Sequence, residues 1–227
     1  MGSNFNFIKI IIGAFCLVFV CLSNAFAQNV VVRRNGSLST KNVNSHKNNK
    51  ADGLINRCSP GNAVDLGLSS GTLWADRNVG ASAETNEGRI VVWGDASGTK
   101  LKSPCPETVS NISHTAYDIA TVKWGKEWKI PTRTQVEELV KTCYIERTTK
   151  NGVVGYTFIG RNGNSIFFPC SSHYSKNRFD GKPYVAFWTA NSDGAGYGGA
   201  YFMWLEDGLH DILCWAKSFR FSVRPVK

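Results

Sequence analysis

Two short strings in this chain have the residue types and spacing of catalytic or cofactor-binding motifs. Gly67-Leu68-Ser69-Ser70-Gly71 matches G-x-S-x-G, in which a serine on a sharp strand-to-helix turn serves as a nucleophile. Thr72-Leu73-Trp74-Ala75 follows it with strand character, so Ser69 is expected in a hairpin turn and not at a nucleophile elbow. Gly194-Ala195-Gly196-Tyr197-Gly198-Gly199 matches G-x-G-x-x-G, whose dinucleotide chemistry needs a helix N-terminus aimed at the pyrophosphate. Ala200-Tyr201-Phe202-Met203-Trp204 continues as a strand, which predicts a loop there instead. His46, His114, His173 and His210 lie far apart, and no pair has a zinc-site spacing. These strings point to no catalytic residue, no metal and no cofactor.

What remains is a surface suited to recognition. The stretches 171–183 and 191–199, and the hairpin 206–218, mix small, polar and aromatic residues without periodicity. Aromatic faces beside amides and carboxylates give contact area at low entropic cost. Tyr174, Asn191, Asp193, Tyr197, His210, Asp211, Trp215 and Lys217 are the expected ligand-binding residues. The ordinary alternative for each is a solvated loop position.

The elements that must position them are mostly short strands. Asn151-Gly152 separates strands at 144–149 and 153–160, Asn162-Gly163 separates the latter from 165–168, and Asp207-Gly208 separates 200–205 from 209–215. Such dipeptides supply the positive φ angles of two-residue hairpin turns. Two helices are expected, at 115–124 and 132–143. In the second, Thr132 and Gln135 form a capping-box pattern before Val136, Leu139 and Val140. Phe221, Val223 and Val226 alternate in the closing string and predict a strand with one apolar face. Seven Trp and thirteen Phe are a heavy load, and Trp74, Trp93, Trp124, Trp128 and Trp188 fall within element patterns as core. An α+β domain with antiparallel sheets and hairpins follows, spanning 58–227.

The amino terminus reads as an export signal. Lys9, an apolar run from Ile10 to Leu22 and Ala25-Phe26-Ala27 predict a signal peptide at 1–27, cleaved after Ala27. The run is shorter than the roughly 20 residues of a membrane span, so no stable span is expected after cleavage. Residues 28–57 hold six basic residues against Asp52 alone, and so carry most of the net charge of +9. Rich in Asn, Ser and Lys, that segment reads as a solvated linker. Basicity in a linker rather than on a folded face argues against nucleic acid as a partner. Of five cysteines beyond the signal, Cys143 lies on a helical apolar stripe, while Cys170 and Cys214 follow strand-like runs and are the expected disulfide.

Five strings occur in order: Ala63 to Ala81, Val91 to Asp95, Trp124 to Leu139, Asn162 to Pro169 and Phe221 to Val226. Together they resemble the major-paralogous-domain family first named from Fibrobacter succinogenes, common in exported proteins of Bacteroides-like bacteria. The resemblance implies a C-type-lectin-like fold related to the formylglycine-generating sulfatase-modifying factors. Calcium-dependent lectins of that wider fold carry carboxylate-amide strings, to which Trp188-Thr189-Ala190-Asn191 is only a partial match. The oxidases use two closely spaced cysteines, whereas Cys170 and Cys214 are 44 positions apart. The resemblance therefore implies a non-catalytic secreted, periplasmic or cell-surface protein recognising a glycan or protein surface through its C-terminal loops. Its rivals are a structural subunit of an envelope or appendage assembly, a retroelement-diversified receptor and, least of all, a formylglycine-generating-type oxidase.

Overall fold

The computed structural model describes residues 59–171, 183–194 and 198–227. The expected signal peptide and linker, Cys58, Tyr174 and Tyr197 lie outside the described residues. Among the described residues, ten strands and two helices form a mixed, mostly antiparallel α+β architecture. Strands β1 (Ala63–Asp65) and β2 (Leu73–Ala75) make one hairpin, and β3 (Val91–Val92) pairs with β10 (Arg220–Phe221). Helices α1 (Ile119–Trp124) and α2 (Arg133–Thr142) follow β3. Then come two three-stranded sheets: β4 (Tyr144–Lys150), β5 (Val153–Ile159) and β6 (Ser165–Pro169), and β7 (Val185–Ser192), β8 (Gly199–Glu206) and β9 (Leu209–Ala216).

The β7–β8–β9 sheet is the middle layer, because its alternating side chains feed two different cores. Ala186, Trp188, Ala200 and Phe202 belong to one buried cluster, with Trp93, Trp124 and Trp128. Val185, Phe187, Met203 and Leu205 belong to the other, with Trp74, Phe158 and Phe168. A strand buried on both faces reads as a continuous apolar run, as Val185 to Trp188 does. Helix α1 contributes Ile119, Ala120 and Trp124 to the first cluster. Helix α2 contributes Val136 and Leu139 to the second.

The closing string behaves differently from a one-faced strand. Only Arg220 and Phe221 pair with β3; Ser222 and Val226 then make isolated bridges to Phe187, Trp74 and Lys129. Phe221 and Val223 enter the first core while Val226 enters the second. Arg224 between them is fully buried. It donates to Asn78 Oδ1 at 2.7 Å, the Ala75 carbonyl at 3.1 Å and the Phe167 carbonyl at 2.8 Å. Its guanidinium also stacks on Phe168, 4.1 Å from the ring centroid. Burial pushes this group down to about 9, so it is still charged at neutral pH.

Local chemistry sets the element ends. Thr132 accepts from the Gln135 amide and the Gln135 side chain accepts from Thr132 N, the expected capping box. Helix α1 begins later than expected, because Asp118 accepts from the amides of Ala120 and Thr121 and takes the N-cap. Thr115 lies in the preceding turn. Asn151-Gly152 and Asp207-Gly208 have φ of 50° and 78°, and 48° and 80°, as two-residue turns require. Asn162-Gly163 does not make such a turn: β5 and β6 are joined by a five-residue loop in which Gly163 alone of that pair has positive φ.

Candidate functional site

Among the described residues, the expected recognition residues on β9 are divided between its two faces. Along β9, His210 pairs with Leu205 near the hairpin tip, while Trp215 pairs with Ala200 at the other end. Five residue steps along the strand separate them by about 16 Å. Strand alternation also divides them, since His210 and Ile212 share a face and Asp211, Leu213 and Trp215 share the opposite one. Ile212 packs on the second core, Leu213 and Trp215 on the first.

Several of these residues have structural work instead. Asn191 Oδ1 accepts from the Arg133 amide at 2.8 Å, tying β7 to the start of α2. Asp193 accepts from the Gly199 amide at 3.0 Å and closes the glycine loop between two antiparallel strands, so no helix follows that loop. Trp215 packs against Phe202 and Phe219, with ring centroids 5.3 and 4.9 Å away. Lys217 is only 3 % exposed; it donates to Glu107 at 3.1 Å and lies over Trp93. Burying that stem and pairing its charge removes Lys217 from any solvent-facing patch. Asp211 and His210 are exposed, and Asp211 accepts from the Ile212 amide.

No disulfide joins Cys170 to Cys214. Cys170 follows β6, donates its amide to Val154 and packs on the second core. Cys214 lies on β9, opposite Tyr201, with its sulfur beside Gly199. The two thiols therefore sit on different sheets. Ser69 lies in the β1–β2 turn as expected, and its hydroxyl donates to Glu138 on α2 at 2.8 Å. That serine is a fastener between hairpin and helix.

Among the described residues, a concave site forms where the end of α2, the start of β4 and the β8–β9 turn converge. It is an open groove of about 560 Å³. Helix α2 stops at Cys143, whose extended backbone leads directly into Tyr144 with no intervening loop. The tight β4–β5 turn then sets Arg147 directly opposite Tyr156. From the other side the Asp207-Gly208 turn brings in Asp207 and His210. Tyr144 is 67 % exposed, and Leu209, next to His210, is 68 % exposed.

The electrostatics of the groove favour an acceptor-bearing ligand. Tyr156 is 1 % exposed, and its hydroxyl, itself sealed from solvent, makes no hydrogen bond of good geometry among the described residues, although the Asp207 and Gly208 amides lie close to it. Burial pushes this phenol up, against the nearby backbone amides of Asp207 and Gly208 and the charge of Arg147, which pull it down. Arg147 offers several N–H donors in a rigid fork. Burial raises the Cys143 thiol to about 11, with the charge of Glu138 adding to the effect. A thiol held that high stays protonated at neutral pH and is a poor nucleophile.

Sequence reading found His210 but missed Tyr144, Arg147, Tyr156 and Asp207. The first three look like strand framework, and only the helix running directly into β4 and the Asp-Gly turn hinted that these segments meet. Among the described residues, no group of three or more His, Cys, Asp or Glu side chains is placed to hold a metal. Among them, too, no helix is long and apolar enough to cross a membrane. Compared with known proteins, the chain matches no family model, no curated protein and no solved structure.

Proposed function

We propose that this is an exported, non-catalytic binding protein with a C-type-lectin-like domain, and that it recognises a glycan or protein surface through the groove at the β8–β9 turn. The fold reading is supported by the way the carboxyl end closes on the first hairpin. Leu73 and Lys227 exchange backbone hydrogen bonds at 2.8 and 2.9 Å, and the Ala75 amide donates to Pro225. The binding reading is carried by one observation: an open groove with an exposed aromatic, Tyr144, at its edge and Arg147 and His210 among its lining residues. Pockets that fix a ligand combine apolar area with a few directed polar groups, as this one does. The raised Cys143 thiol is consistent with binding rather than covalent chemistry.

The test is a glycan and surface-protein array probed with the chain beginning at Gln28 and with its Tyr144→Ala variant. Binders whose signal falls at least about fivefold in the variant, at unchanged melting temperature, are expected. Binders indifferent to Tyr144→Ala, or none at all, would remove the groove from consideration.

A further inference from the structure

Strand β4 stands at the edge of its sheet, whose order is β4–β5–β6. The Asn151-Gly152 turn is closed by the pair Lys150–Val153, and the pair that closes a two-residue turn exchanges both backbone hydrogen bonds. Alternation then points the amides and carbonyls of Tyr144, Glu146, Thr148 and Lys150 toward β5 and those of Ile145, Arg147 and Thr149 away from it. Among the described residues, no backbone group of 144–150 has a backbone partner beyond β5. An open edge of that length is a template for another strand. Charges of a single sign would repel a second copy in every register. Strand β4 instead carries both signs: Glu146 and Lys150 lie on one face and Arg147 on the other.

Those signs select a register for self-pairing. A two-fold axis perpendicular to the sheet sets one residue opposite its own copy, because opposed residues share a face. Through Glu146 or Arg147 the axis brings like charges face to face, and nearer either end of β4 little strand overlaps. Through Thr148 it overlaps 146–150 of both strands and sets Glu146 against Lys150 of the second copy, twice. Glu146 has no ion pair among the described residues. Lys150 lies 2.7 Å from Glu84 on a half-exposed side chain, and an ammonium has donors enough for a second carboxylate. The same register lays the exposed Tyr144 ring over Gly152, where nothing lies near the place of a side chain, and aromatic cover of an edge glycine is stabilising. We infer that this chain pairs with a second copy of itself through β4, antiparallel about an axis at Thr148, joining two three-stranded sheets into one. This goes beyond the groove reading and does not depend on what the groove binds.

Sedimentation velocity of the chain from Gln28 onward, under reducing conditions and across a concentration series, tests it. A monomer–dimer equilibrium is expected. Glu146→Lys and Lys150→Glu each set like charges opposite one another at both ends of the overlap, and each should weaken the dimer about tenfold or more. Mixing the two variants should restore it, because the heterodimer re-forms both unlike pairs. Oxidation of Thr148→Cys reads the register separately and leaves both charges in place. Residues opposed without hydrogen bonds between them have Cα atoms about 4.5 Å apart, within disulfide reach. Peptide mapping should therefore find the two substituted positions joined, and joined faster than in Glu146→Cys or Arg147→Cys. A chain that stays monomeric and forms no Thr148→Cys cross-link overturns the inference. So does a dimer indifferent to both charge reversals, a mixture of the two folded variants that stays monomeric, or faster cross-linking at position 146 or 147.

Discussion

Arg147 on β4 and Tyr156 on β5 stand directly opposite one another, and the Tyr156 hydroxyl makes no hydrogen bond of good geometry among the described residues. A buried polar atom without a partner costs on the order of 1–3 kcal/mol. Tyr156→Phe should therefore leave the fold as stable as before, or more stable by up to about 1 kcal/mol in urea denaturation. A loss above about 2 kcal/mol would mean the hydroxyl is already bonded within the protein.

Arg224 carries the opposite expectation. Its side chain satisfies Asn78, Ala75 and Phe167 from a fully buried position and joins segments far apart in the chain. Arg224→Met keeps most of the stem but leaves three buried acceptors unpaired, and should cost about 3–5 kcal/mol. Arg224→Lys should recover only part of that, because an ammonium cannot reproduce the planar fork. A urea midpoint unchanged by Arg224→Met would show that this residue does not tie the two cores together.

Glu138 fastens α2 to the β1–β2 turn and makes part of the stability depend on pH. Slight burial pushes its carboxyl up, but the donors of Ser70 and Ser69 outweigh that and hold it below the usual carboxylate range. A carboxyl depressed in the folded state stabilises above its unfolded pKa, and that contribution is lost as pH falls through the folded pKa. Stability should thus drop between about pH 5 and pH 3, and Glu138→Gln should flatten that drop while costing about 1 kcal/mol at pH 7. The measurement is urea unfolding across that range for both proteins; parallel curves would contradict the fastening role.

The thiols of Cys143, which is buried, and Cys170, which is half-buried, should be inert. Burial pushes both Cys143 and Cys170 to about 11, with Arg147 pulling the latter down and Glu138 raising the former. At pH 7 the thiolate fraction is on the order of one in ten thousand. Both should resist thiol reagents in the native state and react at the rate of unfolding. Rapid labelling of either, or a peptide map joining Cys170 to Cys214, would contradict this.

Local signals in the sequence account for much of the fold, and their limits account for the site. The Thr132–Gln135 cap and the Asn151-Gly152 and Asp207-Gly208 turns are specified by adjacent residues, so they could be read directly. Asn162-Gly163 misled because the glycine serves a longer loop. The closing string looked like a one-faced strand because alternation cannot show that both faces meet a core. Within the expected binding set, His210 was grouped with Asp211 and Trp215, which period-two geometry sends to opposite faces of β9. Burial of Lys217 depends on Glu107 and Trp93, more than a hundred positions away, and no local pattern encodes it. The groove itself joins Tyr144 and Arg147 to a turn some sixty residues later.

The most direct test of the groove is amide hydrogen exchange of the chain from Gln28 onward, with and without a saturating amount of a glycan or protein that the array identifies as a binder. Slowed exchange at 143–147 and 206–211, with 198–201 unchanged, is the expected result. Slowing confined to the glycine loop and the Trp215 end of β9, with no change at 143–147, would place recognition elsewhere and contradict it.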